Sequence, residues 1–150
     1  MRISGIDIAV VVVTATLSLS SCDGGVTSPH SDLERARTRW LERGPSSYVV
    51  TVSHSCFCTT EGPVDVTVEN GLVVSRVYSN GDTVPADAAI AFPDVPELFD
   101  IIDAAMNEKP AGMQVTYDPA LGFPTDVWVD KYATAADDEY GYTMTNLLVR

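Results

Sequence analysis

The order of patterns along this chain predicts an α+β fold: two α-β-β-β halves, with helices packed on one face of an antiparallel sheet. Three observations carry that expectation. Helical periodicity occurs twice, and each time three runs of alternating apolar and polar residues follow. One pair of those runs is joined by Asn70-Gly71, the strongest short hairpin signal, because both turn residues need positive φ. The stretch that carries these patterns is about 120 residues, enough for one compact domain with its own core.

The first helix is predicted to start at Ser31-Asp32-Leu33-Glu34, read as a capping box, with Leu33, Ala36, Trp40 and Leu41 on one face. Gly44-Pro45 stops it. Tyr48 to His54 then reads as a strand with Tyr48, Val50 and Val52 inward. Val64, Val66 and Val68 alternate with Asp65, Thr67 and Glu69 in a second strand. A two-residue turn at Asn70-Gly71 sets Val68 opposite Val73, Val66 opposite Ser75 and Val64 opposite Val77. A polar connection spans Ser79 to Pro93. Asp94 to Glu97 forms a second capping box, and Leu98, Ile101, Ile102 and Ala105 give the second amphipathic face. Pro110-Ala111-Gly112 ends that helix. Met113 to Tyr117, Thr125 to Asp130 and a run from Tyr140 to Leu147 complete the second set of strands, with a turn at Asp118 to Pro124 and an acidic loop at Asp137-Asp138-Glu139.

The N-terminus has a different character. Arg2 precedes an apolar run from Ile8 to Leu17, about the 7–15 residues of a signal h-region and short of the ~20 that cross a bilayer. Leu19-Ser20-Ser21-Cys22 follows, and it resembles the bacterial lipobox: Leu, two small residues, then Cys. That resemblance implies cleavage between Ser21 and Cys22 and a thioether-linked lipid on Cys22. Two or more acyl chains hold a protein at a membrane where one does so only marginally. Residues 1–21 are thus expected to be a lipoprotein signal peptide, 22–31 a flexible Gly/Ser/Pro-rich tether, and 32–150 a single domain. The expected location is the extracytoplasmic face of the cell membrane, with the lipid as the membrane contact and an envelope protein as partner.

The net charge is −12, and it survives loss of residues 1–21, which remove one base (Arg2) and one acid (Asp7). Nucleic acid is excluded as a partner class, since phosphate binding needs a basic patch. Electrostatic docking on anionic lipid is disfavoured for the same reason. Trp40, Tyr48, Ser55-Cys56-Phe57-Cys58, Asn70-Gly71, Leu98-Phe99, Tyr117-Asp118-Pro119, Gly122-Phe123-Pro124, Asp130 and Asp137-Asp138-Glu139 together resemble the pattern of a bacterial lipoprotein family, domain of unknown function 6174. The resemblance runs from Leu33 to Leu147. It implies an extracytoplasmic lipoprotein and no established activity.

Among chemistry-bearing residues, Cys56 and Cys58 stand out. With Cys22 lipidated they are the remaining two of three cysteines, so a disulfide is the first expectation and thiol-redox exchange the second. An extended strand separates i and i+2 Cα atoms by about 6.6 Å, near the upper limit for a disulfide, so a bulge or turn at Phe57 is required. A loop this small restrains the unfolded chain little. His54, Cys56 and Cys58 share parity, yet an extended strand spreads them over about 13 Å, too far for one ion with metal–sulfur bonds of about 2.3 Å unless the strand bends sharply, and a fourth ligand is missing even then, so no metal is expected here. Asp130, Asp137, Asp138 and Glu139 offer hard oxygens for calcium, without the spacing of an EF-hand loop; a solvated acidic face is the simpler expectation. Trp128 has the opposite parity to Val127 and Val129, which sets it on the outer face beside Asp126 and Asp130 as a contact for a partner. No G-x-S-x-G, phosphate-binding Gly loop or H-E-x-x-H is present, so the sequence favours a non-enzymatic binding module and implies no cofactor.

Overall fold

A computed structural model describes residues 28–58 and 62–150. The elements are α1 (Pro29–Arg43), β1 (Tyr48–Cys56), β2 (Val64–Glu69), β3 (Leu72–Tyr78), α2 (Val95–Asn107), β4 (Gly112–Tyr117), β5 (Pro124–Asp130) and β6 (Tyr140–Val149), with a short 3₁₀ turn at Ala89–Ala91. The strands form one antiparallel sheet in the order β3-β2-β1-β6-β5-β4. The fold class is therefore α+β, as the sequence predicts. Residues 1–21 and Cys22 lie outside the described residues, as does most of the tether.

Both helices pack on one face. Leu33, Ala36 and Trp40 of α1 and Leu98, Phe99, Ile102 and Ala105 of α2 join a single buried cluster with Val50, Val52, Val64, Val66, Val127, Val129 and Met144 from the sheet. The halves repeat an element order without a symmetry axis. Because β1 and β6 are antiparallel neighbours, the rotation that carries strand order 3-2-1 onto 6-5-4 also moves the helix to the opposite face.

Local chemistry fixes the helix ends. α1 begins earlier than a Ser31 cap implies: Ser28 is the N-cap, its hydroxyl accepting from Ser31 N, and Pro29 fills the first turn, where no N–H is needed. Leu41 is 79 % exposed, so the buried stripe of α1 stops at Trp40. Trp40 meets Tyr48 and Phe123 edge-on, joining α1 to the sheet. In α2 the capping box is complete: Glu97 N donates to Asp94 Oδ1 at 2.9 Å and Asp94 N donates to Glu97 Oε2 at 2.8 Å. Arg37 of α1 bonds Asp100 of α2 at 2.9 Å and lies over the Phe99 ring, tying the two helices together.

The hairpin forms at Asn70-Gly71, both at positive φ, and Val68 pairs with Val73. Beyond that the expected register is corrected. A bulge between Thr67 and Val68 sets Val66 opposite Arg76 and Val64 opposite Tyr78, and leaves Val77 opposite Asp65. The slip has a reason in the helix layer. It turns Arg76 inward, where Nε donates to Phe92 O and a terminal nitrogen reaches Glu97 Oε2, both at 2.7 Å. Two strong charge-assisted bonds at the mouth of α2 outweigh one valine moved outward.

Candidate functional site

Three regions carry the residues singled out from sequence, and the fold treats each differently. At the far end of β1, His54 pairs across the strands with Tyr142, and the rings stack with centroids 4.6 Å apart. Burial is the cause that pushes the His54 imidazole below its usual pKa. Cys56 is the last strand residue, and the chain bends at Phe57 and Cys58. The bend draws the Cys56 and Cys58 Cα atoms to 5.1 Å and brings the two sulfurs into bonding contact. It also corrects the expectation that His54, Cys56 and Cys58 are too far apart to share an ion. His54 Nδ1 lies 3.8 Å from Cys56 Sγ, and one ligand atom from each residue falls within 4.8 Å of the others.

The second region is the sheet face opposite the helices. Val127 and Val129 point into the core, and Trp128 stands on the outer face, 39 % exposed. Gly112 makes room for the indole: a Cβ there would meet Trp128 Cζ3 at 2.9 Å. Asp126 is exposed on the same side, where Thr51 also donates its hydroxyl to Asp65 at 2.8 Å. No element among the described residues lies over this face. It is hydroxyl- and acid-rich and carries one half-covered indole.

The third region is the acidic loop. Asp130, Asp138 and Glu139 converge to within 4.8 Å, whereas Asp137, at φ 68, belongs to the turn and not to this group. Asp138 Oδ2 accepts from Tyr132 N at 2.8 Å, and Oδ1 is buried with no hydrogen-bond partner among the described residues. Asp118 has a different task. Its carboxylate accepts from Ala120 N and Leu121 N, so it holds the turn before β5.

Sequence reasoning missed one feature. A cavity of about 460 Å³ lies between the start of α1, the end of α2 and β4, lined by Pro29, Met106, Met113, Val115 and Tyr117 among others. The Tyr117 hydroxyl is buried with no hydrogen-bond partner among the described residues, and burial followed by the Asp32 charge raises its pKa to about 12. Only tertiary packing of the two helix ends creates this space, so no local pattern announces it.

Two helices on one side of a six-stranded antiparallel sheet, with no described element on the other side, define a two-layer α+β domain. The chain belongs to the family of unknown function DUF6174, which matches residues 32–149. No curated protein and no solved structure matches it. Among the described residues no helix is long and apolar enough to cross a membrane.

Proposed function

We propose that the protein is a bacterial lipoprotein, anchored at the extracytoplasmic face of the cell membrane through Cys22, whose domain binds an envelope partner without catalysis. The observation that carries the reading is Leu19-Ser20-Ser21-Cys22, set directly behind an apolar run of signal-peptide length. The anchor leaves the domain beside the bilayer, and the sheet face around Trp128 and Asp126, which no described element covers, supplies the binding surface. Half-covered tryptophan on a polar face offers apolar area together with a hydrogen-bond donor, the combination enriched at interface centres.

The test uses a photo-crosslinking residue at position 128, and for comparison at exposed Leu41 on the helix side, in cells that make the full chain. One discrete adduct from position 128, absent from position 41 and lost when Cys22→Ala releases the domain, is the expected result. No adduct from position 128 in the membrane fraction contradicts the binding surface.

A second reading rests on the convergence of Asp130, Asp138 and Glu139 and on the unpartnered Asp138 Oδ1. Calcium bridging these oxygens would tie β5 to the start of β6 and stabilise the domain. It predicts a higher melting temperature in millimolar calcium than in chelator, with the difference removed by Asp138→Asn; identical melting in both conditions dismisses it.

A further inference from the structure

We propose that, when its two cysteines are reduced, the end of β1 is a binding site for one soft d10 cation, Zn²⁺ or Cu⁺, held by His54 Nδ1, Cys56 Sγ and Cys58 Sγ. This stands independently of the anchoring and binding reading above. Two thiolates and an imidazole are the donors such ions prefer. The geometry is half built. Metal–sulfur and metal–nitrogen bonds of about 2.3 and 2.05 Å at a trigonal angle place S and N about 3.8 Å apart. Nδ1 of His54 and Sγ of Cys56 are 3.8 Å apart, and the bend at Phe57 keeps Cys58 Sγ within 4.8 Å of both, so that parting of the two sulfurs on reduction completes the set.

The ring that supplies the nitrogen is fixed. Stacking on Tyr142 across the β1–β6 pair holds the imidazole in one plane, which limits the reorientation that ligation would require. Cys58 is exposed, so an ion reaches the site from solvent without the fold opening. Three protein donors leave a position free: Zn²⁺ fills it with water to reach four ligands, while Cu⁺ is satisfied as a trigonal ion.

The sulfur pair makes the site conditional. While Cys56 and Cys58 are bonded to each other, neither sulfur is a thiolate and the site is closed. A dithiol reductant opens it: the dithiol becomes a disulfide, and its two electrons and two protons convert the Cys56–Cys58 bond into two thiols. The arriving cation then displaces both thiol protons to solvent as the two metal–sulfur bonds form. A small-molecule disulfide reverses the sequence: it takes the two electrons and, with two protons from solvent, leaves as two thiols, the Cys56–Cys58 bond re-forms, and the ion is released.

The experiment takes the chain purified from its host in detergent, whichever fraction holds it, reduces it with dithiothreitol, desalts it without oxygen, and titrates Zn²⁺ and, separately, Cu⁺. One equivalent of either ion is expected in the reduced chain and none in the oxidised chain. The Cys56→Ser and Cys58→Ser double variant is expected to bind neither, and His54→Gln to weaken binding by more than about 10-fold, since loss of a ligand exceeds loss of a supporting contact. If His54→Gln does not fold, X-ray absorption of the loaded natural chain counts two sulfur scatterers and one protein nitrogen. Reduced chain that binds no more of either ion than the double variant overturns the proposal, as does a loaded site without the nitrogen.

Discussion

Gly122 offers the sharpest test of how α1 is seated on the sheet. It lies in the turn before β5 at φ 88, and an added Cβ would stand 2.5 Å from Ala36 O and 3.0 Å from Arg39 Cβ. Gly71 is the matched control: its φ is 78, but nothing lies within 4 Å of an added Cβ. Alanine at either position meets the left-handed penalty, roughly 1–2 kcal/mol. At 122 the helix backbone must also move, because a comfortable C···O contact needs about 3.3 Å or more. Overpacking against rigid backbone costs about 1–3 kcal/mol further. Gly122→Ala should therefore be less stable than Gly71→Ala by that second amount alone. In urea, with a slope of about 1.5 kcal/mol/M, its midpoint should fall lower by a further ~0.7–2 M. Equal midpoints for the two variants would refute the close seating of α1 on this turn.

Other outcomes follow from the same contacts. Arg76→Met removes the bonds to Phe92 O and Glu97 and leaves a buried carbonyl without its donor, so urea denaturation should show a loss of about 1–3 kcal/mol. Lys109 ends α2 at φ 55, and Lys109→Gly should raise stability by roughly 0.5–1 kcal/mol, read as a higher melting temperature. Asp94 is buried at the start of α2, and that burial raises its pKa, with Glu97 and Asp100 adding to the rise while the Glu97 N–H and Arg76 oppose it. The native state then holds the proton longer than the unfolded chain, so this group's contribution is full below the ordinary carboxylate range and is lost as pH rises through the raised value. Asp94→Asn keeps a good N-cap and removes that dependence. The urea midpoint of Asp94→Asn relative to the natural chain should climb from acid to neutral pH, and a flat difference would show that Asp94 is not desolvated.

What could be read without the structure was whatever short-range periodicity and turn chemistry decide. The Asp94/Glu97 capping box, the Asn70-Gly71 hairpin, the inward Val127 and Val129 and the outward Trp128 all depend on residues within a few positions of one another. The misread features are settled at longer range. Where β3 slips is decided by what Arg76 finds 16 and 21 residues away at Phe92 and Glu97. Likewise β6 absorbs an extra residue at Asn146, φ 53, to stay in register with β1, and alternation alone gives no sign of it. His54, Cys56 and Cys58 are too spread for one ion only along a straight strand, and the chain bends at Phe57. Asp137 was grouped with its neighbours by adjacency, but its positive φ takes it into the turn.

Most of the functional reading hangs on the chemistry of one thiol. Mass spectrometry of the mature N-terminus, on protein taken from its native host, measures it directly. The account predicts a chain that begins at Cys22 and carries the mass of a thioether-linked diacylglycerol. A chain still bearing residues 1–21, or one beginning at an unmodified Cys22, would contradict it.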